Sequence, residues 1–313
     1  MSTHGKVAIA TVGSIIMDLA VSTPRVPHTG ENILAHAFRK GPGGKGANAA
    51  AAAARLGAGS FLVGGVGDDE FGREELAFLR QLGVDTSGVS VRGDSSTGIA
   101  VILVDDNREN TILVVLGANA ELTAEGVGRS LGRLWSRLDA LMVNFEVPEP
   151  VVAGVIHAAN EHGVPVVLDA GPPRQYLRDT WRRAQVVSPN RMETEHLVGH
   201  PVENEAQLLE AAREILDAGP QAVVIKRGRE GSLICTREGT EAVPIIDIER
   251  VDTTGAGDAF TSALTVGIAE GMTLRQAVRF GTAAGAVAVS RFGTMPAMPT
   301  RDEVDALLAG ATG

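Results

Sequence analysis

Residues 251–264 read VDTTGAGDAFTSAL, and they join a strand-like run at 242–248 to a segment whose apolar residues repeat with helical spacing. The turn between them contains only small residues, Gly255, Ala256 and Gly257, so side chains do not cover its backbone N–H groups. A helix N-terminus carries partial positive charge and unsatisfied N–H donors, and it therefore binds anions. The stretch predicts an anion-binding turn at the start of a helix.

Asp258 follows this turn directly. Asp is a favoured N-terminal helix residue, so a capping role is one interpretation. A cap, however, needs no bare backbone beside it. A base that deprotonates a hydroxyl next to a phosphoryl group needs both a carboxylate and anion-stabilising amides. We therefore hypothesise that Asp258 is a general base and that the amides of Gly255, Ala256 and Gly257 form an anion hole.

The composition narrows the class of protein. The chain has 313 residues and a formal net charge of -10, so neither nucleic acid nor an anionic membrane surface is an expected partner. Cys235 is the only cysteine, which excludes an internal disulfide and favours a reducing compartment. No apolar run reaches membrane-spanning length, and the first residues lack the apolar core of a secretory signal. We expect a cytoplasmic protein.

Strand-like and helix-like patterns alternate along most of the chain. Residues 6–15 are nearly all apolar, as in a central strand covered on both faces, and the alternation resumes after residue 122. Repeated βα units predict a three-layer α/β sandwich with a mostly parallel central sheet. Such sheets bind ligands at the carboxyl ends of their strands, where Asp18, Glu146 and Asp169 fall. For Asp18, an ordinary solvated loop residue is the alternative.

The apolar period changes near residue 97. Two β-branched runs, at 97–104 and 111–117, flank the polar turn DDNREN, which predicts a hairpin. Together with a strand-like stretch at 32–38, this hairpin predicts a small separate sheet. An edge hairpin without a function is the alternative.

This small sheet leads to a domain prediction. We expect a single α/β domain over residues 1–313, with a small β-sheet lid formed by about 16–40 and 96–118. A lid of this kind excludes water from a reactive phosphoryl group.

A second glycine-rich turn lies near the N-terminus. Residues 41–46 satisfy the dinucleotide pattern G-x-G-x-x-G, but the preceding HAFRK alternates like a half-exposed strand, so we reject a dinucleotide site. Gly43 and Gly44 instead form a bare turn into an Ala-rich helix whose first turn contains Lys45 and Asn48. Three residues apart on a helix, these side chains can point to the same place.

Three segments, in order and spacing, resemble the ribokinase-like (phosphofructokinase-B) sugar kinases. They are GGKGANAAAAAARLGA at 43–58, SPNRMETE at 188–195 and DTTGAGDAF at 252–260, and they are most similar to the ribokinase and deoxyribokinase branch. The resemblance implies ATP-dependent phosphorylation of a sugar's primary hydroxyl. It also implies Mg²⁺, an activating monovalent cation, usually K⁺, and a homodimer formed through the lid.

The resemblance also implies roles for individual residues. Asp258 corresponds to the family's catalytic base, and Gly255, Ala256 and Gly257 to its anion hole. Six residues fall on sugar-contacting positions: Asp18, Gly43, Gly44, Lys45, Asn48 and Glu146. The positions that organise magnesium, largely through water, are Asn190 and Glu193. The nucleotide loop contains Lys226, Gly228 and Gly231, and Asp252 and Thr254 lie beside the monovalent cation.

Two positions depart from the family pattern. Ribokinases place Asn two residues before the sugar-binding Asp, where this chain has Ile16, and deoxyribokinase-like relatives are similar to this chain in having an apolar residue there. Residues 169–172 read Asp-Ala-Gly-Pro where ribokinases usually have Asn-Pro-Ala-Pro. We expect phosphorylation of the 5-hydroxyl of a pentose, with ribose first and 2-deoxyribose or another small sugar as alternatives.

Two more distant alternatives remain. A nucleoside kinase of the same fold needs an apolar or aromatic wall for a base, and the lid segments are poor in aromatic residues. A sugar-binding relative without activity is disfavoured, because the base and the glycines around it are all present.

Overall fold

The computed structural model describes residues 6–107 and 109–311. Within this part of the chain, strands and helices alternate from end to end. The strands are β1 Ala8–Val12, β2 Ile16–Ser22, β3 Ala37–Gly43, β4 Gly59–Val63, β5 Gly65–Gly67, β6 Ser90–Arg92, β7 Gly98–Val104, β8 Asn110–Val115, β9 Ala140–Asn144, β10 Val166–Asp169, β11 Val186–Ser188, β12 Ala222–Lys226, β13 Ser232–Thr236 and β14 Gly239–Val243. The α-helices are α1 Lys45–Arg55, α2 Glu70–Gln81, α3 Ala124–Leu131, α4 Glu149–Glu161, α5 Arg178–Trp181, α6 Arg191–Val198, α7 Glu205–Ala218, α8 Ala256–Ala269, α9 Leu274–Val289 and α10 Arg301–Gly310.

The central sheet has the strand order β14-β13-β12-β11-β10-β9-β1-β4. Neighbours from β12 to β4 pair in parallel, and β13 and β14 extend the sheet as an antiparallel hairpin. Strands β9 and β10 end in register, with Asn144 opposite Asp169. The predicted α/β fold with a mostly parallel sheet is confirmed.

Helices cover both faces of this sheet. Successive residues of a strand face opposite layers. In β1, Ala10 belongs to a core shared with α3, α4 and α7, whereas Ile9 packs with α1, α8, α9 and α10. Among the described residues, no helix combines the length and the apolar character needed to cross a bilayer.

A second sheet, which we call the small sheet, has four strands in the order β3-β2-β7-β8. Strands β2 and β7 are parallel, and β3 and β8 flank them in antiparallel pairs. Every residue of β8 is exposed. In the predicted hairpin turn between β7 and β8, Arg108 lies outside the described residues.

Two strand predictions are wrong in their boundaries. The run at 32–38 overlaps β3 only at its last two residues, because the pairing with β2 continues through a Gly-Pro-Gly end to Gly43. Proline is tolerated there since β3 is an edge strand. The run at 242–248 belongs to β14 only as far as Val243, because Pro244 has no N–H with which to continue the ladder.

Asp18 also lies elsewhere than its pattern predicts. We expected it just past the carboxyl end of the first strand, but it lies inside β2, which three residues separate from the end of β1. Its neighbour across the sheet is Gly41 of β3. The connection between β1 and β2 is only Gly13, Ser14 and Ile15, and apolar residues continue on both sides of it, so the apolar pattern does not separate the two strands.

A contact between two glycines fixes where α1 begins. A Cβ atom on Gly46 would lie 2.6 Å from Gly13 Cα and 2.7 Å from Ser14 N. The amide of Ala47 donates to the carbonyl of Ser14 at 2.9 Å. Backbone therefore packs directly on backbone, and this contact places the first turn of α1 against the carboxyl end of β1.

We predict that Gly46→Ala destabilises the protein by about 1–3 kcal/mol, because the added methyl group forces the two backbones apart. Gly128→Ala in α3 is the matched control, since a Cβ there meets open space. Alanine at position 128 should raise the free energy of unfolding by less than about 1 kcal/mol. Urea unfolding of both variants measures this, and equal stability would contradict the role given to Gly46.

Candidate functional site

A cavity of about 750 Å³ lies where the small sheet, the N-termini of α1 and α8 and the carboxyl edge of the central sheet meet. All the predicted site residues except Gly43 and Asp252 line it. The Gly43 amide points away from the cavity and donates to Glu75 Oε1 at 3.1 Å. The chain thus brings together residues from Asp18 to Asp258.

The GAGD turn forms the start of α8. Gly255 is the N-cap, with a φ of 77° that side chains disfavour, and α8 begins at Ala256. The amide of Ala256 donates to Thr253 O at 3.3 Å. The amides of Gly255 and Gly257 have no hydrogen-bond partner among the described residues. Two of the three amides in the predicted anion hole are therefore free to bind a ligand.

Asp258 lies in the first turn of α8, and only 5% of its surface is exposed. Lys45 Nζ donates to its Oδ1 at 3.0 Å, and Asn48 Nδ2 donates to its Oδ2 at 2.8 Å. Both side chains come from the first turn of α1, so they converge on one carboxylate. This pairing holds the carboxylate at the cavity wall beside the free amides.

Acidic side chains line the small-sheet end of the cavity. Burial outweighs a lowering hydrogen bond from Thr294 and, together with the smaller effect of the nearby carboxylates of Glu146 and Asp258, raises the pKa of Asp18 to about 7. That bond, from Thr294 Oγ1 to Asp18 Oδ2, is 3.2 Å long. Asp18 therefore changes charge near neutral pH.

Two more buried carboxylates support this end. Glu146 accepts hydrogen bonds from Ser14 Oγ and from the amide of Lys45, the latter at 3.1 Å. Burial raises the pKa of Glu146. Glu75, on α2, is fully buried behind Gly43, and burial raises its pKa well above the ordinary value.

Asp169 lies between two lysines at the end of β10. Its Oδ2 accepts from Lys45 Nζ at 3.2 Å, and its Oδ1 accepts from Lys226 Nζ at 2.6 Å. Burial favours protonation of Asp169, but the two ammonium groups outweigh it and lower its pKa. Burial likewise disfavours the charge on Lys45, but Asp169 and Asp258 raise its pKa well above the usual range. Asp169 and Lys45 therefore favour their ionised forms.

The predicted magnesium and nucleotide residues follow the next strands. Asn190 caps α6 by accepting from the Glu193 backbone amide, and the Asn190 backbone amide donates to Glu193 Oε2 at 2.7 Å, so the two form a capping box. Lys226 ends β12, and the turn after it places Gly228 and Gly231 along the same cavity.

Asp252 joins two loops beside the α8 N-terminus. Its Oδ1 accepts from the amide and the hydroxyl of Thr254, at 2.9 and 2.7 Å, and its Oδ2 accepts from the amide of Gly293 at 3.1 Å. Within the described ranges, no three His, Cys, Asp or Glu side chains cluster as a metal site. Any cation here would rely on backbone oxygens or water.

Three residues of this neighbourhood are absent from the predicted site: Glu75, Asp169 and Thr294. Glu75 has a detectable signal, because it occupies the buried stripe of α2 with Gly72, Leu76 and Leu79. Asp169 stands at a strand end, but nothing in its local sequence indicates two lysine partners.

The chain belongs to a family of carbohydrate kinases. The family model described as pfkB family carbohydrate kinase matches residues 7–301. A ribokinase of Bacillus subtilis (strain 168) is 36% identical over 301 residues, which cover 96% of this chain and 99% of that protein. A deoxyribokinase of Salmonella typhi is 32% identical over 302 residues, which cover 96% of this chain and 98% of that protein.

The solved structures agree with this assignment. The structure of Arabidopsis thaliana ribokinase complexed with ribose and ATP has a TM-score of 0.88 at 31% identity, and it covers 97% of this chain and 99% of that one. The resemblance to ribokinase-like kinases is confirmed. The protein is a carbohydrate kinase of the pfkB family.

We predict that Asp18→Asn stabilises the unliganded protein more at pH 8 than at pH 5. The folded-state pKa of about 7 exceeds the ordinary Asp value, so the stability contributed by Asp18 is complete below about pH 4 and is lost as the pH rises to 7. Asn does not ionise, so the variant does not lose this stability. The free energy of unfolding of the variant minus that of the unaltered protein should therefore grow by roughly 2 kcal/mol between pH 5 and pH 8. Chemical unfolding at both pH values measures it, and an advantage independent of pH would contradict the raised pKa.

Proposed function

We propose that this carbohydrate kinase transfers the γ-phosphoryl group of ATP to the 5-hydroxyl of a pentose, with ribose as its substrate. The observation that supports this most strongly is the Asp258 carboxylate beside the free amides of Gly255 and Gly257 in a large cavity. The ribokinases among its relatives, and the ribose and ATP in the Arabidopsis structure, support the choice of substrates.

The chemical step needs one proton acceptor and one set of anion-binding groups. Asp258 takes the proton of the sugar hydroxyl while the hydroxyl oxygen forms a bond to the γ-phosphorus of ATP. At the same time the bond between that phosphorus and the β–γ bridging oxygen breaks, and ADP leaves. A carboxylate has about four acceptor positions, so the hydroxyl can bind while Lys45 and Asn48 stay in place. The Gly255 and Gly257 amides, with a weaker contribution from Ala256, stabilise the transferring group.

The sugar lies towards the small sheet in this proposal. Asp18 and Glu146, with Lys45 and Asn48, bind its hydroxyl groups. Gly43 and Gly44 contribute space, because a Cβ on Gly43 would lie 2.8 Å from Asp18 Oδ1 and one on Gly44 would lie 2.6 Å from Ile16 N. Glycine at position 43 leaves room for the carboxylate of Asp18, and glycine at position 44 lets the turn pack against the backbone before Ile16.

The nucleotide occupies the other end of the cavity. The loop from Lys226 through Gly228 to Gly231 faces an apolar wall formed by Ile245, Ile246 and Ile248, which suits a purine base. Mg²⁺ fits the oxygen donors of Glu193 and Asn190, but their capping box occupies part of both side chains, so they would hold the ion through water.

An activating monovalent cation, K⁺ in this proposal, would bind beside Asp252 and Thr254. Asp252 fixes the loops at Thr254 and Gly293 by hydrogen bonds, and these loops carry the backbone oxygens that such an ion needs. Activity independent of K⁺ would contradict this site.

We also propose that the small sheet is a lid and the contact of a homodimer. In its outer strand β8, Ile112 and Val114 line the cavity, whereas Leu113 and Val115 are exposed on the opposite face, Leu113 at 61%. Contiguous exposed apolar residues of this kind mark interaction surfaces. A monomer in sedimentation measurements would contradict the dimer.

We predict that Asp258→Asn lowers kcat for ribose phosphorylation by about 10²–10⁴-fold, because the amide cannot accept the hydroxyl proton. Folding and ATP affinity should stay close to those of the unaltered protein, since Asn fills the same volume. Steady-state kinetics with ribose, together with thermal unfolding and nucleotide titration, measure this. An Asn variant with normal turnover would refute Asp258 as the base.

The side chain of Ile16 favours 2-deoxyribose as a second candidate substrate, because it lines the cavity and cannot hydrogen-bond to a 2-hydroxyl. We predict that Ile16→Asn raises the preference for ribose over 2-deoxyribose by about tenfold or more. A buried amide left unpaired by the deoxy sugar costs roughly 1–3 kcal/mol. The ratio of kcat/KM for the two sugars measures this, with Ile16→Val as the control, and an unchanged ratio in the Asn variant would show that position 16 does not read the 2-position.

A further inference from the structure

We propose that Lys226 is a catalytic residue that binds the transferring phosphoryl group, and that Asp169 positions Lys226 and Lys45 on either side of the α8 N-terminus. This inference rests on the proposed function and assigns a specific atom, Lys226 Nζ, to the phosphate.

The position of Lys226 is set by the sheet. Its amide donates to Pro189 O at 2.8 Å, which fixes the end of β12 beside the start of α6. Its side chain is 13% exposed, and its Nζ lies 3.9 Å from the place that a Cβ on Gly257 would occupy. The ammonium group therefore lies over the first turn of α8, next to a free amide. A phosphoryl oxygen bound to that amide is within reach of it.

The hydrogen-bond count leaves Lys226 one donor for a ligand. A lysine ammonium has three N–H donors. Asp169 accepts one at 2.6 Å, and Thr261 Oγ1 lies 3.4 Å away as a second acceptor. Glu193 Oε2, at 3.8 Å, is an ion-pair partner beyond hydrogen-bond distance. No third acceptor lies within hydrogen-bond distance of Nζ in residues 6–107 and 109–311, so the remaining donor faces the cavity.

Asp169 suits this role better than an asparagine would. Each of its carboxylate oxygens accepts from a different lysine. An amide has a single acceptor oxygen and would turn an NH₂ group towards one of the ammonium groups. Gly171 completes the arrangement, because a Cβ there would lie 2.7 Å from Lys45 Cε. The Asp-Ala-Gly-Pro segment therefore accommodates two lysines at once.

The chemical consequence concerns charge. During phosphoryl transfer, negative charge is spread over the equatorial oxygens of the γ-phosphoryl group and develops on the leaving oxygen. Fixed positive groups placed there beforehand stabilise the transition state. Helix α8 supplies partial charges, and Lys226 adds a full charge that Asp169 holds in place when no ligand is bound.

The first experiment compares three variants in the full-length enzyme. Lys226→Met should lower kcat for ribose by about 10²–10³-fold and weaken ATP binding, while the affinity for ribose and for adenosine stays within about threefold. Lys226→Arg should recover at least about tenfold of the lost kcat, because it restores a positive donor. Lys6→Met, at an exposed lysine before β1, is the matched control and should behave as the unaltered enzyme.

Two results would overturn the role of Lys226. One is a Met variant with kcat within about threefold of the unaltered enzyme. The other is an equal loss of adenosine and ATP affinity, which indicates that the side chain only supports the nucleotide pocket. An assay of the unaltered enzyme with ribose and ATP tests the proposed function separately. If the unaltered enzyme does not phosphorylate ribose, the proposed function is refuted, whatever the variants show.

A double-mutant cycle tests Asp169 as a positioning residue. Asp169→Asn should lower kcat in the unaltered background by about tenfold or more, and by less when Lys226 is already Met, because only the contact with Lys45 is then lost. Fully additive losses would overturn the positioning role. Thermal unfolding is measured for each protein, and if Asp169→Asn does not fold, the conservative variant Asp169→Glu replaces it in the same cycle.

Discussion

The site depends on one contact, the pairing of the Asp258 carboxylate with two side chains of α1. Lys45 and Asn48 reach it from positions 213 and 210 residues away in the sequence. The contact exists because Gly13 and Gly46 face each other and let the start of α1 approach the end of β1. This approach brings the first turn of α1 within reach of the first turn of α8. Two helix N-termini, from opposite ends of the chain, therefore share one charged group.

This arrangement has a cost in stability. Asp18, Glu75 and Glu146 are carboxyl groups whose pKa burial raises, so folding disfavours their ionised forms. The ion pairs around Asp169 also lose hydration, which their mutual attraction offsets only in good geometry. The fold tolerates these groups because large apolar cores on both sheet faces stabilise it independently. Carboxyl groups with perturbed pKa values of this kind are concentrated at functional sites.

Sequence reasoning finds the parts of this site that have a local signature. The turn before Asp258 and the turn before Lys45 combine bare backbone with a polar residue at a helix start, and both signals lie within a few residues. Alternating apolar periods likewise predict the parallel sheet. What the sequence does not reveal is long-range pairing, as for Asp169, which appears as a plain strand end. The prediction of the boundaries of β3 is wrong for the same reason, because pairing with β2 determines where the strand begins and ends.

The distribution of charge within the cavity explains how an acidic protein of net charge -10 can hold a polyphosphate. The small-sheet end carries the carboxyl groups of Asp18 and Glu146, whose oxygens can accept hydrogen bonds from neutral hydroxyl groups. The opposite end carries the ammonium group of Lys226 and the amides at the start of α8, which favour anions, and Lys45 lies between the two ends. Asp258 lies on the boundary between the two ends. A proton acceptor is useful only there, because one end of the cavity suits the hydroxyl donor and the other suits the phosphoryl group. A uniformly basic pocket would bind the nucleotide but would leave no carboxylate to take the proton. A uniformly acidic one would repel the phosphates.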